Sequence, residues 1–184
     1  MGVARSLKDA GRLTGKTTSL LLRASEDLVC RNLMCAKVGE VCVCRLAVTL
    51  ARLPGLRKLD IANNELRVLP TSVFELTSLE HLDVSGNGLT DIPAGVAALQ
   101  SLRTLDVSNN LLTCLPSELE SLQSLTTICL NGNELEQGAL KRLLRRRPTL
   151  RIVEANELEP HPQAQAQVLD DTGEATDIRE GSAP

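Results

Sequence analysis

A period of 23 residues runs through the middle of this chain, and few folds are compatible with it. The segments LRKLDIANNELRVLPTSVFELTS from Leu56, LEHLDVSGNGLTDIPAGVAALQS from Leu79 and LRTLDVSNNLLTCLPSELESLQS from Leu102 follow one another without a gap. A fourth, LTTICLNGNELEQGALKRLLRRRPT from Leu125, departs only in its second half. A short unit repeated at constant length cannot bury its apolar face alone, so neighbouring copies must stack to make a continuous core.

Each position in the unit has a physical reading. Leu59-Asp60-Ile61, Leu82-Asp83-Val84, Leu105-Asp106-Val107 and Ile128-Cys129-Leu130 alternate inward and outward as a strand does. Stacked units then place these strands side by side in a parallel sheet. Asn64, Asn87, Asn110 and Asn133 follow three residues later, where an amide side chain can satisfy backbone groups as the chain leaves the sheet. Leu66, Leu89, Leu112 and Leu135 turn back inside. Leu69-Pro70, Ile92-Pro93 and Leu115-Pro116 open a return segment, with Pro where no ladder donor is needed. Val73, Val96 and Leu119, then Leu76, Leu99 and Leu122, close the far side.

This pattern resembles the leucine-rich repeat family, in its 23-residue intracellular class with L-x-x-L-P-x-x-L return segments. The resemblance spans Leu56 to about Leu150. It implies an α/β fold, a leucine-rich-repeat solenoid of about four to five repeats. A curved parallel sheet would form the concave side, with irregular or helical structure on the convex side.

Outside the clear repeats the pattern weakens. Residues 33–55 are expected to form a degenerate first repeat: Leu33, Ala36, Val38, Val43, Leu46, Leu50 and Leu53 keep its apolar positions, but Val41 stands for Asn and Ala47 for Pro. Residues 1–32 are expected to cap the N-terminal end, with SLLLRASEDL as either a strand or part of a helix. Downstream, QGALKRLLRRRPTL predicts a helix with Ala139, Leu140, Leu143 and Leu144 on one face and a stop at Pro148. A last strand is expected within 150–156. The tail 157–184 holds seven acidic residues and one basic residue, with few large apolar ones, and is expected to be disordered.

Composition narrows the function. With one Phe and neither Trp nor Tyr, the interior must be filled by aliphatic side chains, and a nucleic-acid face with stacking aromatics is not expected. The cysteines at 30, 35, 42 and 44 have gaps of four, six and one residues and no C-x2-C pair. Reduced thiols in a cytoplasmic protein, with no metal and no cofactor, are therefore expected. No nucleophile, base and orienting group fall together, so no catalytic residues are expected and an enzyme is not predicted.

The resemblance implies a non-enzymatic interaction module or adaptor that binds a protein partner on the concave face, the setting in which similar short intracellular members serve signalling. Candidate contact residues are the outward strand positions Lys58, Asp60, His81, Asp83, Thr104, Asp106, Thr127 and Asn131. Asp60, Asp83 and Asp106 recur at one position and should stack about 4.8 Å apart, a ladder that would suit a basic partner. A basic patch is expected at Lys141, Arg142, Arg145, Arg146 and Arg147. Two other readings compete. Met1-Gly2 with Ser6 fits the N-myristoylation rule, so Gly2 is a lipidation candidate and the alternative is a peripheral membrane scaffold. The stretch from Ala10 to Gly15, Lys16 and Thr17 fits a relaxed phosphate-binding loop, but lacks a preceding apolar strand, and nucleotide binding ranks below the other two.

Overall fold

The structure is a computed structural model that describes residues 2–12, 15–30, 39, 41–136 and 138–153. Seven short strands make one parallel sheet in chain order. They are β1 (Gly2–Ala4), β2 (Thr17–Leu21), β3 (Lys58–Asp60), β4 (His81–Asp83), β5 (Thr104–Asp106), β6 (Thr127–Cys129) and β7 (Arg151–Val153). The register is constant: Lys58, His81, Thr104, Thr127 and Arg151 lie side by side, as do Leu59, Leu82, Leu105, Ile128 and Ile152. A fixed repeat length has this consequence, because every strand meets its neighbour at the same residue.

Opposite the sheet run three helices, α1 (Leu7–Arg12), α2 (Cys44–Leu50) and α3 (Ala139–Arg146), and 3-10 turns at Thr71–Val73, Ala94–Ala98 and Ser117–Ser121. The turns begin after Pro70, Pro93 and Pro116, whose φ of −69°, −60° and −67° suits a ring-locked residue. Between the two layers the repeat leucines form one aliphatic core. Leu59, Leu66, Leu76 and Leu79 and their counterparts in the next two repeats are at most 2% exposed. Each such leucine contributes roughly 2 kcal/mol through removal of apolar surface from water. The lone aromatic, Phe74, lies against Gly95, where an added Cβ would sit 3.0 Å from its ring. No described helix is long and apolar enough to cross a membrane.

The N-terminal third differs from the expected layout. The strand beside β3 is β2, not a segment of 33–55, and Leu20 pairs with Leu59 at a separation of 39 residues instead of 23. Residues 31–38 and 40, the expected strand of that repeat, lie outside the described residues. Its return half does sit where the period places it: Leu46, Leu50, Leu53 and Leu56 are buried, and α2 packs between α1 and the Thr71–Val73 turn. One repeat is thus divided, its strand at 17–21 and its return at 44–56, with an insertion between. Ser25 therefore takes the place of the turn asparagine, its backbone N–H donating to Asn64 Oδ1 at 2.8 Å. The stretch SLLLRASEDL divides between the open alternatives: residues 19–21 belong to β2, and Glu26–Leu28 form a 3-10 turn. At the other end the helix and last strand form within the expected ranges, whereas the tail 157–184 lies outside the described residues.

Candidate functional site: the concave sheet face

The turn asparagines hold the repeats together. Asn87 Nδ2 donates to the carbonyls of Ile61, Val84 and Ser85, while its Oδ1 accepts from the backbone N–H of Asn64 and Leu66. Asn110 and Asn133 donate in the same way to carbonyls of their own and the preceding repeat. Every amide therefore spans two turns of the solenoid, and the loss of one would leave buried carbonyls without donors.

The aspartates of the sheet also serve the backbone. Asp60 Oδ1 accepts from the N–H of Ala62 at 3.2 Å, and Asp83 and Asp106 accept from both the N–H and the hydroxyl of Ser85 and Ser108. Asp60 and Asp106 are buried and Asp83 is half-buried. Arg23, which the sequence reading passed over, crosses this row: its guanidinium lies 3.4 Å from Asp60 and 2.5 Å from Asp83. The expected open acidic ladder is thus closed by hydrogen bonds and an arginine. Burial pushes the Asp106 carboxyl above its usual range; Asp83 adds to this, while the Ser108 hydrogen bonds and Arg23 oppose it. Burial, with Asp106 and Asp83 beside it, pushes the Cys129 thiol up to about 12 and keeps it protonated.

A parallel row of outward residues faces solvent. Ser19, Lys58, His81, Thr104, Thr127 and Arg151 occupy it, with His81 and Arg151 exposed and the other four half-buried. Partial burial lowers the His81 pKa, and Lys58 and Arg103 add to this against Glu80. Of the expected contact residues, Lys58, His81, Thr104 and Thr127 share this row. Asn131 stands further along the face, donating to the Val153 carbonyl at 3.3 Å.

The other sequence features fall elsewhere. Lys141, Arg142, Arg145 and Arg146 are exposed along α3, and Arg146 reaches Glu120 at 3.8 Å. Arg147 leaves the expected patch. It is buried, and its guanidinium donates to the Leu122 carbonyl and to those of Leu125 at 2.8 Å and Gln123 at 3.4 Å. Gly15, Lys16 and Thr17 lead into β2 and not into a helix whose N-terminus could receive a phosphate. Gly2 is part of β1, its N–H donating to the Lys16 carbonyl at 3.0 Å. A Cβ at this position would come within 2.7 Å of that oxygen, so packing alone favours glycine there.

Three of the cysteines whose spacing argued against a metal come together in space. The sulfurs of Cys30, Cys42 and Cys44 lie within 4.8 Å of one another. Cys35, of the same sequence cluster, lies outside the described residues. Cys114 is exposed, on the far side of the sequence from this group.

Comparison with known proteins agrees with the architecture. The leucine rich repeat family model matches residues 54–98 and 77–135. A leucine-rich repeat protein of Leptospira interrogans is similar at 32% identity and a TM-score of 0.55, over 58% of this chain and 27% of that one. An internalin of Listeria monocytogenes, at 23% identity and a TM-score of 0.56, covers 81% of this chain and 37% of its own, and shares the fold. The chain therefore spans well under half the length of either structure. No curated protein matches it. The 23-residue period, the open seven-strand parallel sheet and these likenesses agree that residues 54–135 match leucine-rich repeats and that the chain folds as a leucine-rich-repeat solenoid.

Proposed function

We propose that the chain is a non-enzymatic protein–protein interaction module, a cytoplasmic adaptor that engages its partner on the concave sheet face. One observation carries this reading: strands β2 to β7 each contribute one residue to a single solvent-facing row, from Ser19 to Arg151. The adjacent row is occupied by hydrogen bonds that hold the turns, so the outer row is the part of the face left for recognition. Its charge differs from the expectation of an acidic ladder. Arg23 lies against Asp60 and Asp83, and Asp106 is buried, so these carboxylates are not an open row for a basic partner.

The test replaces His81, Thr104 and Thr127 together with Glu, leaving the Asp and Asn networks intact; circular dichroism confirms the fold. Proteins retained from cell extract by the wild-type chain are identified, purified and titrated directly. The expected result is a loss of affinity of about tenfold or more. Undiminished affinity would make the face a scaffold only. Failure of the wild type to retain any protein reproducibly would remove the adaptor reading itself.

A further inference from the structure

The insertion that divides the first repeat carries a feature that the proposed partner binding does not use. An antiparallel bridge between Val29 and Val41 draws its two ends together. The N–H of Gly39 donates to the Cys30 carbonyl at 2.8 Å, and that of Cys42 to the Leu28 carbonyl at 2.9 Å. These bonds set Cys30 beside Cys42, and α2 starts two residues later with Cys44. The Cys30 and Cys44 sulfurs are 3.6 Å apart, and those of Cys42 and Cys44 2.8 Å. The Cys44 N–H also donates to Cys42 Sγ at 3.4 Å, the kind of contact that stabilises negative charge on sulfur.

We propose that Cys30, Cys42 and Cys44 form a thiolate site for one zinc ion, which clips the insertion to the start of α2. Three thiols each give up a proton to solvent as three zinc–sulfur bonds form, and water completes the coordination. With zinc–sulfur bonds of about 2.3 Å, tetrahedral ligands stand roughly 3.8 Å apart. The Cys30–Cys44 pair already has close to that spacing, and the Cys42–Cys44 pair reaches it by opening about 1 Å through side-chain rotation. A disulfide accounts for the arrangement less well, since it would join two sulfurs and leave the third packed against them. The site also has a structural purpose. Between Ser25 and Val43 the described chain buries few large side chains, chiefly Leu28, so a metal clip closing this loop supplies constraint that the core does not. Cys42 and Cys44 line a cleft that also includes Ser25, Val41 and Asn64, which gives the ion a way in.

The full-length chain, purified with a reductant and without chelator, is expected to carry one zinc by elemental analysis. Cobalt substitution should give thiolate-to-cobalt charge-transfer absorption. Alkylation with iodoacetamide, mapped by peptide mass, needs no substitution and so does not depend on a variant folding. Cys30, Cys42 and Cys44 should be protected until a chelator is added, whereas exposed Cys114 should react in both cases. Cys30→Ser should lose the ion and Cys114→Ser keep it. Absence of stoichiometric zinc together with absence of cobalt charge transfer would overturn the proposal. So would equal labelling of the three cysteines with and without chelator, or a mass lower by two hydrogens showing a disulfide in the purified chain.

Discussion

At the scale of single residues, the turns show a constraint that runs from one repeat to the next. Asn63, Gly86, Asn109 and Gly132 share one repeat position, and all adopt a left-handed conformation, with φ of 55°, 62°, 53° and 64°. Asparagine and glycine tolerate this region best, yet they also alternate. The reason is contact: a Cβ on Gly86 would sit 1.9 Å from Asn63 Oδ1, and one on Gly132 2.3 Å from Asn109 Oδ1. Each asparagine lies over the bare backbone of the following turn. Gly86→Ala should therefore cost about 2 kcal/mol in the wild-type background, from overpacking and the unfavourable φ together. In an Asn63→Gly background only the conformational part remains, so a double-mutant cycle by urea denaturation should show a coupling of about 1 kcal/mol. Additive effects would mean that the turn relaxes freely. The buried Asp106 makes a prediction of its own. Its carboxyl keeps its proton to higher pH in the folded chain than in the unfolded one. Its contribution to stability is thus fully present below the unfolded pKa and is lost as pH rises through the folded value. Asp106→Asn keeps an acceptor for Ser108 and removes the charge. Its melting temperature should exceed that of the wild type at pH 7, and the gap should narrow as pH falls below about 4. A gap independent of pH would show that charge is not the cause.

At the scale of elements, α3 shows how one basic run divides into two roles. Arg145 and Arg146 end the exposed face of the helix, while Arg147 turns beneath it and binds carbonyls of the preceding return segment. Arg147→Met should cost about 2–3 kcal/mol in urea denaturation, because it fills the space but strands those carbonyls. Arg145→Ala should stay within about 0.5 kcal/mol. Equal effects would return Arg147 to the surface group. Three consecutive arginines look alike in sequence, and only packing distinguishes the third. The same limit explains what else was hidden. Strands β3 to β6 were legible because apolar spacing and the turn asparagine agree in each unit, joined by the return proline in the first three. Strand β2 was not, because an insertion moved its register and Ser25 stands where asparagine marks the others. The aspartate row was visible, but its closure by Arg23 depends on a residue beyond that insertion. The cysteine cluster was missed for a similar reason: spacing along the chain says little once the Val29–Val41 bridge folds the insertion back.

At the scale of the whole molecule, the chain order of the strands governs how stability is distributed. Each strand pairs only with its sequence neighbours, so no contact ties β1 directly to β7 across the sheet. Stability in such an array is a sum of repeat terms and nearest-neighbour interfaces, and a weakened unit acts as a boundary. Leu105 is 1% exposed at the centre of β5, with Leu82 and Ile128 on its two sides. Leu105→Ala should cost about 3 kcal/mol. What matters more is where that loss is felt. The C-terminal part, β6, α3 and β7, is shorter than β1 to β4 and has fewer buried leucines to hold it once its interface with β5 is loosened. Hydrogen exchange read by peptide mass should therefore show β6 and β7 losing protection well before β2 to β4 in this variant, while the wild type is most protected at β4 and β5. A uniform loss from β1 to β7 would mean that the solenoid opens as one cooperative body. In that case the neighbour interfaces are strong relative to the repeats themselves, and the divided first repeat is held as firmly as the regular ones.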